Sequence, residues 1–244
     1  MRSLVYRAAD ALAGWALPPR CVLCGSRGRL RQLDLCATCA EDLPRASRAC
    51  SRCGLPDTAG LSPVAAQCES CAAEPPPYDR LFAPFNYGFP LDGLIQALKY
   101  QAAMRNARVL GTLLGHEIQR LEPHGDIDLL VPMPLHASRL VERGFNQSHE
   151  IALFTVDVLG REMSSGALRR VRATPSQVGL DRQARLQNVR GAFAADTRAV
   201  SGRRIALLDD VVTTGSTVAA AAQALLVAGA SGVVVWALAR ATQR

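Results

Sequence analysis

Lysine is almost absent from this 244-residue chain: Lys99 is the only one, and arginine supplies the other basic side chains. Aromatic residues make up only 5%, which disfavours a protein that binds single-stranded nucleic acid mainly by stacking bases on aromatic rings. No apolar run approaches the roughly 18 residues that a membrane-spanning helix needs. The lack of a long apolar run predicts a protein that does not insert into a membrane. The hydrophobic content of 49% is enough to form the core of a globular protein.

A secretory signal is also predicted to be missing. Arg7 and Asp10 interrupt the N-terminal stretch where a signal peptide carries an unbroken apolar core. We interpret residues 1–20 as a short amphipathic helix that ends before Pro18. The chain is therefore predicted to be cytoplasmic, where thiols are kept reduced.

Cysteine is absent after residue 71, and all eight cysteines lie in four CxxC pairs before it. Each pair places two thiolates on one tight turn, and two pairs complete a tetrahedral zinc site with no open position for catalysis. The sequence predicts two structural four-cysteine zinc sites, whose ligands are Cys21, Cys24, Cys36, Cys39, Cys50, Cys53, Cys68 and Cys71. The simplest pairing joins the first two CxxC pairs and the last two, although the spacing also permits an interleaved pairing. Gly25 and Gly54 follow two of the turns and supply the positive φ that such turns need.

Two other interpretations of the cysteines are a disulfide framework and redox CxxC chemistry. The first conflicts with a reducing cytoplasm, and the second with four copies in a segment that has little α/β pattern. Two four-thiolate zinc sites each carry a charge of −2, so the formal net charge of +7 falls to +3. The charge is therefore a weak indication of nucleic-acid binding.

The proline-rich segment 74–77 predicts a domain boundary, because consecutive prolines stiffen the chain and remove hydrogen-bond donors. This gives an N-terminal helix at residues 1–20, a module with two zinc sites at 21–73, and a second domain at 78–244.

The stretch 204–218 predicts a strand, a turn and a helix in succession. Backbone N–H groups and the helix dipole at such a turn suit a phosphate. Two adjacent carboxylates repel a phosphate but suit the hydroxyl groups of a ribose. A ribose 5-phosphate site is therefore predicted, although the same pattern fits a plain turn in an α/β domain. Its candidate residues are Asp209, Asp210, Val211, Thr213, Thr214, Gly215, Ser216 and Thr217.

A second loop follows the predicted strand Ile127–Val131, and ligands of open α/β sheets bind beyond the carboxyl ends of the strands. The loop residues Pro132, Met133, Pro134, Leu135 and His136 are therefore predicted to lie beside the two aspartates. Basic and amide side chains suit a further phosphate group, and the candidates for these contacts are Lys99, Arg139, Arg143, Asn146, Gln147, Gln177, Arg182 and Arg185.

Four of the candidates also have simpler interpretations. Lys99 ends the predicted helix Leu91–Lys99, where a cation interacts favourably with the helix dipole. For His136 we favour a positioning role over that of a base. Arg182 and Arg185 lie on one side of a predicted helix, which can close over an anion or simply face solvent.

Together these motifs resemble the ComF (ComFC) family, whose members join a double zinc ribbon to a type I phosphoribosyltransferase domain. Besides the CxxC pairs, the resemblance rests on LKY at 98–100, VPMPLHASR at 131–139, RGFNQS at 143–148, TPSQ at 174–177, LxRxxRxxNVRGAF at 180–193 and LLDDVVTTGST at 207–217. It implies an α/β fold, namely a parallel-sheet, Rossmann-like type I phosphoribosyltransferase domain with a small N-terminal double zinc-ribbon domain.

The resemblance also implies the ligand, 5-phosphoribosyl 1-pyrophosphate (PRPP) with Mg²⁺. Asp209 and Asp210 would be catalytic and hold the ribose hydroxyls, residues 213–217 the 5-phosphate, and residues 132–135 the pyrophosphate. Residues 169–190 would form a mobile loop over the site. The implied enzyme is a magnesium-dependent phosphoribosyltransferase that transfers the pentosyl group to an acceptor the sequence does not identify.

Members of the family are linked to natural competence and DNA uptake, which implies single-stranded DNA and a DNA-uptake helicase as partners. The alternative function is a zinc-ribbon protein that binds single-stranded DNA and uses its PRPP site as a sensor, or without catalysis.

Overall fold

The structure is a computed structural model that describes residues 20–27, 33–56, 67–122, 125–172 and 191–242. It contains two compact units, Met1–Leu43 and Pro44–Arg244. The second group of cysteines belongs to the larger unit, whereas the sequence pattern groups it with the first. The boundary expected at 74–77 stays a prediction, and the helix predicted for residues 1–20 falls outside the described residues except for Arg20.

The elements are numbered here in chain order. The helices are α1 (Ala37–Glu41), α2 (Glu69–Ala73), α3 (Leu91–Gln101), α4 (Met104–Leu121), α5 (Ala137–Arg143), α6 (Gln147–Leu159), α7 (Thr197–Val200) and α8 (Ser216–Val227). The strands are β1 (Arg80–Phe82), β2 (Phe85–Asn86), β3 (Leu129–Pro132), β4 (Leu168–Arg170), β5 (Phe193–Ala195), β6 (Arg204–Val212) and β7 (Gly232–Arg240). Within the described ranges, no helix combines the length and the apolar character that crossing a membrane requires.

A parallel sheet in the order β1-β7-β6-β3 forms the centre of the larger unit, and β2 also pairs with β7 in parallel. All nine residues of β7 are buried, as is typical of a parallel strand covered on both faces. The register aligns Pro132 of β3 with Leu208 of β6, so Asp209 is the first residue of β6 beyond the end of β3. The parallel sheet confirms the predicted α/β class.

Strand β6 is longer than the sequence pattern indicates. Its pairing with β7 continues to Val212, which aligns with Arg240, and Asp209 and Asp210 therefore lie within the strand. The sequence predicts the strand to end before them, because charged residues interrupt its apolar run. The partner strand β7 extends equally far and supplies the backbone hydrogen bonds that continue the ladder.

Helices α4 and α6 pack against each other at unusually short range. A Cβ atom on Gly111 would lie 2.3 Å from the carbonyl oxygen of Ile151, and one on Gly115 would lie 2.8 Å from the Cβ atom of Val158. The hydroxyl group of Thr155 donates a hydrogen bond to the carbonyl of Gly111 at 3.1 Å. Only glycine permits this approach. The close packing fixes the position of α6, whose N-terminal turn enters the candidate site.

Candidate functional site

The acid pair, Asp209 and Asp210, lies at the carboxyl end of the sheet. Asp210 is only 3% exposed and Asp209 is partly buried. Oδ1 of Asp209 accepts hydrogen bonds from the hydroxyl of Ser148 at 3.0 Å and from the backbone N–H of Asp210 at 2.9 Å. Burial and the neighbouring charge of Asp210 raise the pKa of Asp209 to about 8, although Lys99 opposes the rise. A ligand that donates hydrogen bonds to this carboxyl group will favour its ionised form.

Lys99 is the counter-ion of the acid pair. Its Nζ atom forms an ion pair with Oδ2 of Asp210, and its side chain is 21% exposed. Burial by itself lowers the pKa of Lys99, but the charge of Asp210 and its hydrogen bond outweigh burial, so the net shift is upward. The amine therefore stays charged, and it lies in the candidate site as well as at the C-terminal end of α3.

Gln147 connects the acid pair to an arginine. Its Nε2 donates to Oδ1 of Asp210 at 3.3 Å, and its Oε1 accepts a hydrogen bond from Nη1 of Arg143. The Arg143 guanidinium lies over the ring of Tyr100, 5.5 Å from the ring centroid, and Tyr100 is 74% exposed. An accessible aromatic ring and a guanidinium group therefore border the acid pair.

The loop at residues 132–136 lies beside β6, where the sequence places it. The backbone N–H of Met133 donates to the carbonyl of Leu208 at 2.8 Å. Nδ2 of Asn146 donates to the carbonyl of Met133 at 2.9 Å, and Oδ1 of Asn146 accepts the N–H of Ser148 at 3.0 Å as the N-cap of α6. Asn146 thus holds the loop against the helix that carries Gln147.

Two other candidates lie at or in α5. Nδ1 of His136 accepts the backbone N–H of Ser138 at 3.3 Å and caps the helix, an arrangement that fits positioning better than proton transfer. Arg139 is exposed, and its Nε lies 3.9 Å from a carboxylate oxygen of Glu142 on the same helix. Arg139 lies in the first turn of α5, directly after the loop at 132–136.

Arg170 is a charged neighbour of the acid pair that the sequence motifs do not single out. Burial lowers its pKa, while the charge of Asp209 acts in the opposite direction. Its guanidinium lies 5.6 Å from the ring centroid of Phe193. This contact joins β4, which contains Arg170, to β5, which contains Phe193. The resemblance places the segment 169–190 over the site but does not single out Arg170, because two adjacent arginines in a short strand resemble an exposed edge.

Residues 213–217, called the phosphate loop after the ligand that the sequence predicts for them, connect β6 to α8. Gly215 adopts a φ of 82° as the N-cap of this twelve-residue helix. The hydroxyl groups of Thr214 and Ser216 lie 3.1 Å apart, and the N–H of Ser216 donates to Thr214 Oγ1 at 3.4 Å. Amides at a helix N-terminus, with hydroxyl groups beside them, are the groups that hold a phosphate.

The cysteines form two clusters, Cys21, Cys24, Cys36 and Cys39, and Cys50, Cys53, Cys68 and Cys71. The four sulfur atoms of each cluster lie within 4.8 Å of one another. The distance between Sγ atoms is 3.7 Å for Cys24 and Cys36, and 3.8 Å for Cys53 and Cys68. Sulfurs around a tetrahedral zinc ion are about 3.8 Å apart. Both clusters therefore fit zinc, and the sequential pairing is confirmed.

Some predicted site residues lie outside the described part of the chain, namely Gln177, Arg182 and Arg185, together with most of the predicted mobile loop. Among the described residues, the sequence missed Ser148 as a partner of Asp209. A usable signal exists for it, because Ser148 directly follows Gln147 in the first turn of a helix whose N-cap is predictable from Asn146.

Known proteins resemble this chain in sequence. The family profile of the double zinc ribbon domain matches residues 12–76. A protein named DNA utilization protein YhgH, from Salmonella typhimurium, is 36% identical over 227 residues, which cover 92% of this chain and 98% of the relative. Competence protein F from Haemophilus influenzae is 30% identical over 235 residues, covering 91% of this chain and 97% of the relative.

Solved structures give weaker similarities. The glutamine PRPP amidotransferase of B. subtilis superimposes with a TM-score of 0.38 and 22% identity, covering 54% of this chain and 26% of that one. The chain thus spans about a quarter of that protein, and this likeness is too low to assign a function. The two full-length relatives, the two four-cysteine clusters and the parallel α/β sheet are decisive: the chain belongs to the ComF family.

Proposed function

We propose that the acid pair and the phosphate loop bind PRPP, and that the chain is a phosphoribosyltransferase-like protein linked to the handling of single-stranded DNA in DNA uptake. The observation that carries the proposal is a pair of carboxylates, Asp210 buried and Asp209 partly buried, at the end of a strand that leads into a loop of amide and hydroxyl donors. Carboxylates repel a phosphate, so a simple anion site has no use for them. A ribose 5-phosphate uses both, because its hydroxyls donate hydrogen bonds and its phosphate accepts them.

The pyrophosphate end of PRPP would lie along the loop at 132–136. The hydrogen bond from Met133 to Leu208 supports this placement, since it keeps the loop at the edge of β6 that carries the acid pair. Arg143 and Arg170 supply positive charge nearby, and a guanidinium suits phosphate oxygens. Mg²⁺ that arrives with the pyrophosphate would neutralise part of its charge.

The reaction that such a site supports is pentosyl transfer, in which an acceptor displaces pyrophosphate from C1 of the ribose. The contribution of the chain is to bind and orient. The acid pair fixes the sugar hydroxyls, the phosphate loop fixes the other end of the sugar, and the arginines stabilise the charge of the departing group.

The connection to DNA is supported by the relatives, which are named for DNA utilization and for competence. A cytoplasmic location and a DNA-uptake helicase as partner belong to the same proposal. A second candidate is a single-stranded DNA-binding protein whose PRPP site is a sensor. The aromatic side chains of Tyr100 and Phe89 favour it, because they are 74% and 88% exposed and offer stacking surfaces despite the low aromatic content.

One assay separates the two candidates. Release of pyrophosphate from PRPP and Mg²⁺ on addition of bases, amines or single-stranded DNA would identify an enzyme. Salt-sensitive binding of single-stranded DNA without any release would identify the binding protein.

The PRPP site itself is tested by replacing both acids, Asp209→Asn and Asp210→Asn. We expect the affinity for PRPP, measured by calorimetry with Mg²⁺, to fall at least about thirtyfold, since each charged hydrogen bond contributes about 2 kcal/mol. The zinc content should stay at two ions per chain. Asp157→Asn, which changes an exposed acid on α6, is the matched control. Unchanged affinity in the double variant, or equal losses in the control, would overturn the proposal.

The pKa of Asp209 predicts how this binding depends on pH. Ribose hydroxyls donate to the ionised carboxylate, so PRPP binding lowers a pKa of about 8 and releases a proton. Affinity should therefore rise between pH 7 and pH 9. Calorimetry in buffers of different ionisation enthalpy measures the proton directly, and proton uptake or no transfer at pH 7 would contradict this assignment.

A further inference from the structure

Arg240 is a buried arginine that joins the second cysteine cluster to the phosphate loop. It ends β7 and is 3% exposed. Its Nε donates to the carbonyl of Cys53 at 2.8 Å, while its Nη1 donates to the carbonyls of Val212, at 2.9 Å, and Thr213. Val212 ends β6 and Thr213 begins the phosphate loop. One guanidinium therefore binds a zinc-ligand residue on one side and the start of the phosphate loop on the other.

Tyr78 makes a second connection between the same two places. Its carbonyl accepts a hydrogen bond from Nη1 of Arg52 at 2.8 Å, and Arg52 lies in the turn between Cys50 and Cys53. Its hydroxyl lies 3.7 Å from the position that a Cβ atom on Gly215 would occupy. Tyr78 is 5% exposed, so a single buried residue extends from the cysteine turn to the N-cap of α8.

We infer that zinc in the second cluster holds the phosphate loop in its anion-binding conformation through Arg240 and Tyr78. The inference rests on the proposed PRPP site. Zinc would fix the turn that contains Cys53, and with it the direction of the Cys53 carbonyl. The guanidinium is planar and its donors keep fixed relative directions. A movement of the Cys53 carbonyl therefore turns the whole guanidinium of Arg240, and with it the Nη1 group that donates hydrogen bonds to the carbonyls of Val212 and Thr213.

The peptide plane carries this effect into the binding site. A peptide group is planar and trans, so its C=O and N–H point in opposite directions. Arg240 draws the carbonyls of Val212 and Thr213 towards itself. The N–H groups of Thr213 and Thr214, on the same two peptide planes, consequently face away from Arg240. The backbone N–H of Ala241 also donates to the carbonyl of Val212 at 2.9 Å, so the main chain helps to hold that peptide. Arg240 is thus a positioning residue that acts most directly on the peptide between Thr213 and Thr214, and so on the N–H of Thr214.

The experiment compares three variants with the wild-type chain. Arg240→Gln removes the guanidinium group and keeps all the zinc ligands. Cys71→Ser removes one ligand of the second cluster, and Cys24→Ser is the matched change in the first cluster. Three quantities are measured: zinc content, hydrogen exchange of the amides of residues 213–217, and PRPP affinity by calorimetry. Amides of α4 serve as an internal reference for global unfolding.

We expect Arg240→Gln to keep two zinc ions, and to show exchange in the phosphate loop about tenfold faster and PRPP affinity about tenfold lower, a size usual for coupled sites. Cys71→Ser should show the same changes in loop exchange and PRPP affinity, and should bind one zinc ion. Cys24→Ser should also bind one zinc ion, but its loop exchange and its PRPP affinity should match those of the wild-type chain. Unchanged loop exchange in Arg240→Gln overturns the inference, even if Cys71→Ser does not fold. If wild-type protein fails to bind PRPP, the proposed function is overturned, and faster loop exchange in Arg240→Gln still supports the link.

Discussion

The two cysteine clusters are built alike. In each, a CxxC turn ends in a glycine whose N–H donates to the carbonyl of the first cysteine, at 2.9 Å for Gly25 and 2.8 Å for Gly54. In each, the second CxxC pair begins at the N-cap of a five-residue helix, Cys36 before α1 and Cys68 before α2. The local sequence therefore determines the same metal-binding structure twice.

Their surroundings differ. The first cluster is contained in the smaller unit, and Cys24 is exposed. The second lies in the larger unit, where the backbone N–H of Leu81 donates to the carbonyl of Ser51 at 3.3 Å and Arg240 donates to the carbonyl of Cys53. Strands β1 and β7 are thus bound directly to the second cluster. Identical motifs can belong to a small separate unit in one place and to the core of a larger unit in another.

The largest effect should come from removing one ligand of each cluster. Cys71→Ser should lower the thermal midpoint of the larger unit, because the free energy of binding a structural zinc ion is part of the free energy of folding and Cys71 is 7% exposed. Cys24→Ser should leave that midpoint unchanged while losing one zinc ion. Calorimetric melting with a zinc assay measures both. Equal shifts in the two variants would show that the clusters do not differ in this way.

A smaller effect should distinguish the two glycines. Both have positive φ, 72° at Gly25 and 67° at Gly54, so alanine costs about 1 kcal/mol of backbone strain at either position. A Cβ atom at Gly54 would also lie 2.5 Å from Cδ2 of Leu81, whereas nothing described lies within 4 Å of one at Gly25. Overpacking of this kind adds about 1–3 kcal/mol. We expect Gly54→Ala to destabilise its unit more than Gly25→Ala does.

Denaturant unfolding of the two glycine variants, with the zinc content measured in parallel, checks this difference. A loss of stability in Gly25→Ala as large as that in Gly54→Ala would mean that strand β1 does not confine the second turn.

The sequence predicted the parts of the site that depend on short-range patterns. The four CxxC pairs determine the ligand sets, and the apolar run before Asp209 predicts a strand that is followed by a turn and a helix. The N-cap at Asn146 is likewise readable, because its side chain acts only two residues away. Such features need no knowledge of which strands are neighbours.

The contacts that join these parts could not be predicted. Arg240 and Cys53 are 187 residues apart, and Arg240 donates to the backbone carbonyl of Cys53. Because every residue has such a carbonyl, the contact does not depend on the type of the accepting residue and cannot be recognised in the sequence. The length of β6 was also missed, because its last residues pair with β7 despite two charges in succession. Both depend on the register between strands, which a hydrophobic pattern does not define.

The ion pair between Lys99 and Asp210 has a practical consequence. Because the chain contains a single lysine, an isotope label introduced as lysine yields one side-chain ammonium signal, and that signal originates beside the acid pair. Its chemical shift would report directly on whatever occupies the neighbouring carboxylates, without assignment of the rest of the spectrum. The scarcity of one residue type thus gives this protein a built-in reporter at its candidate site.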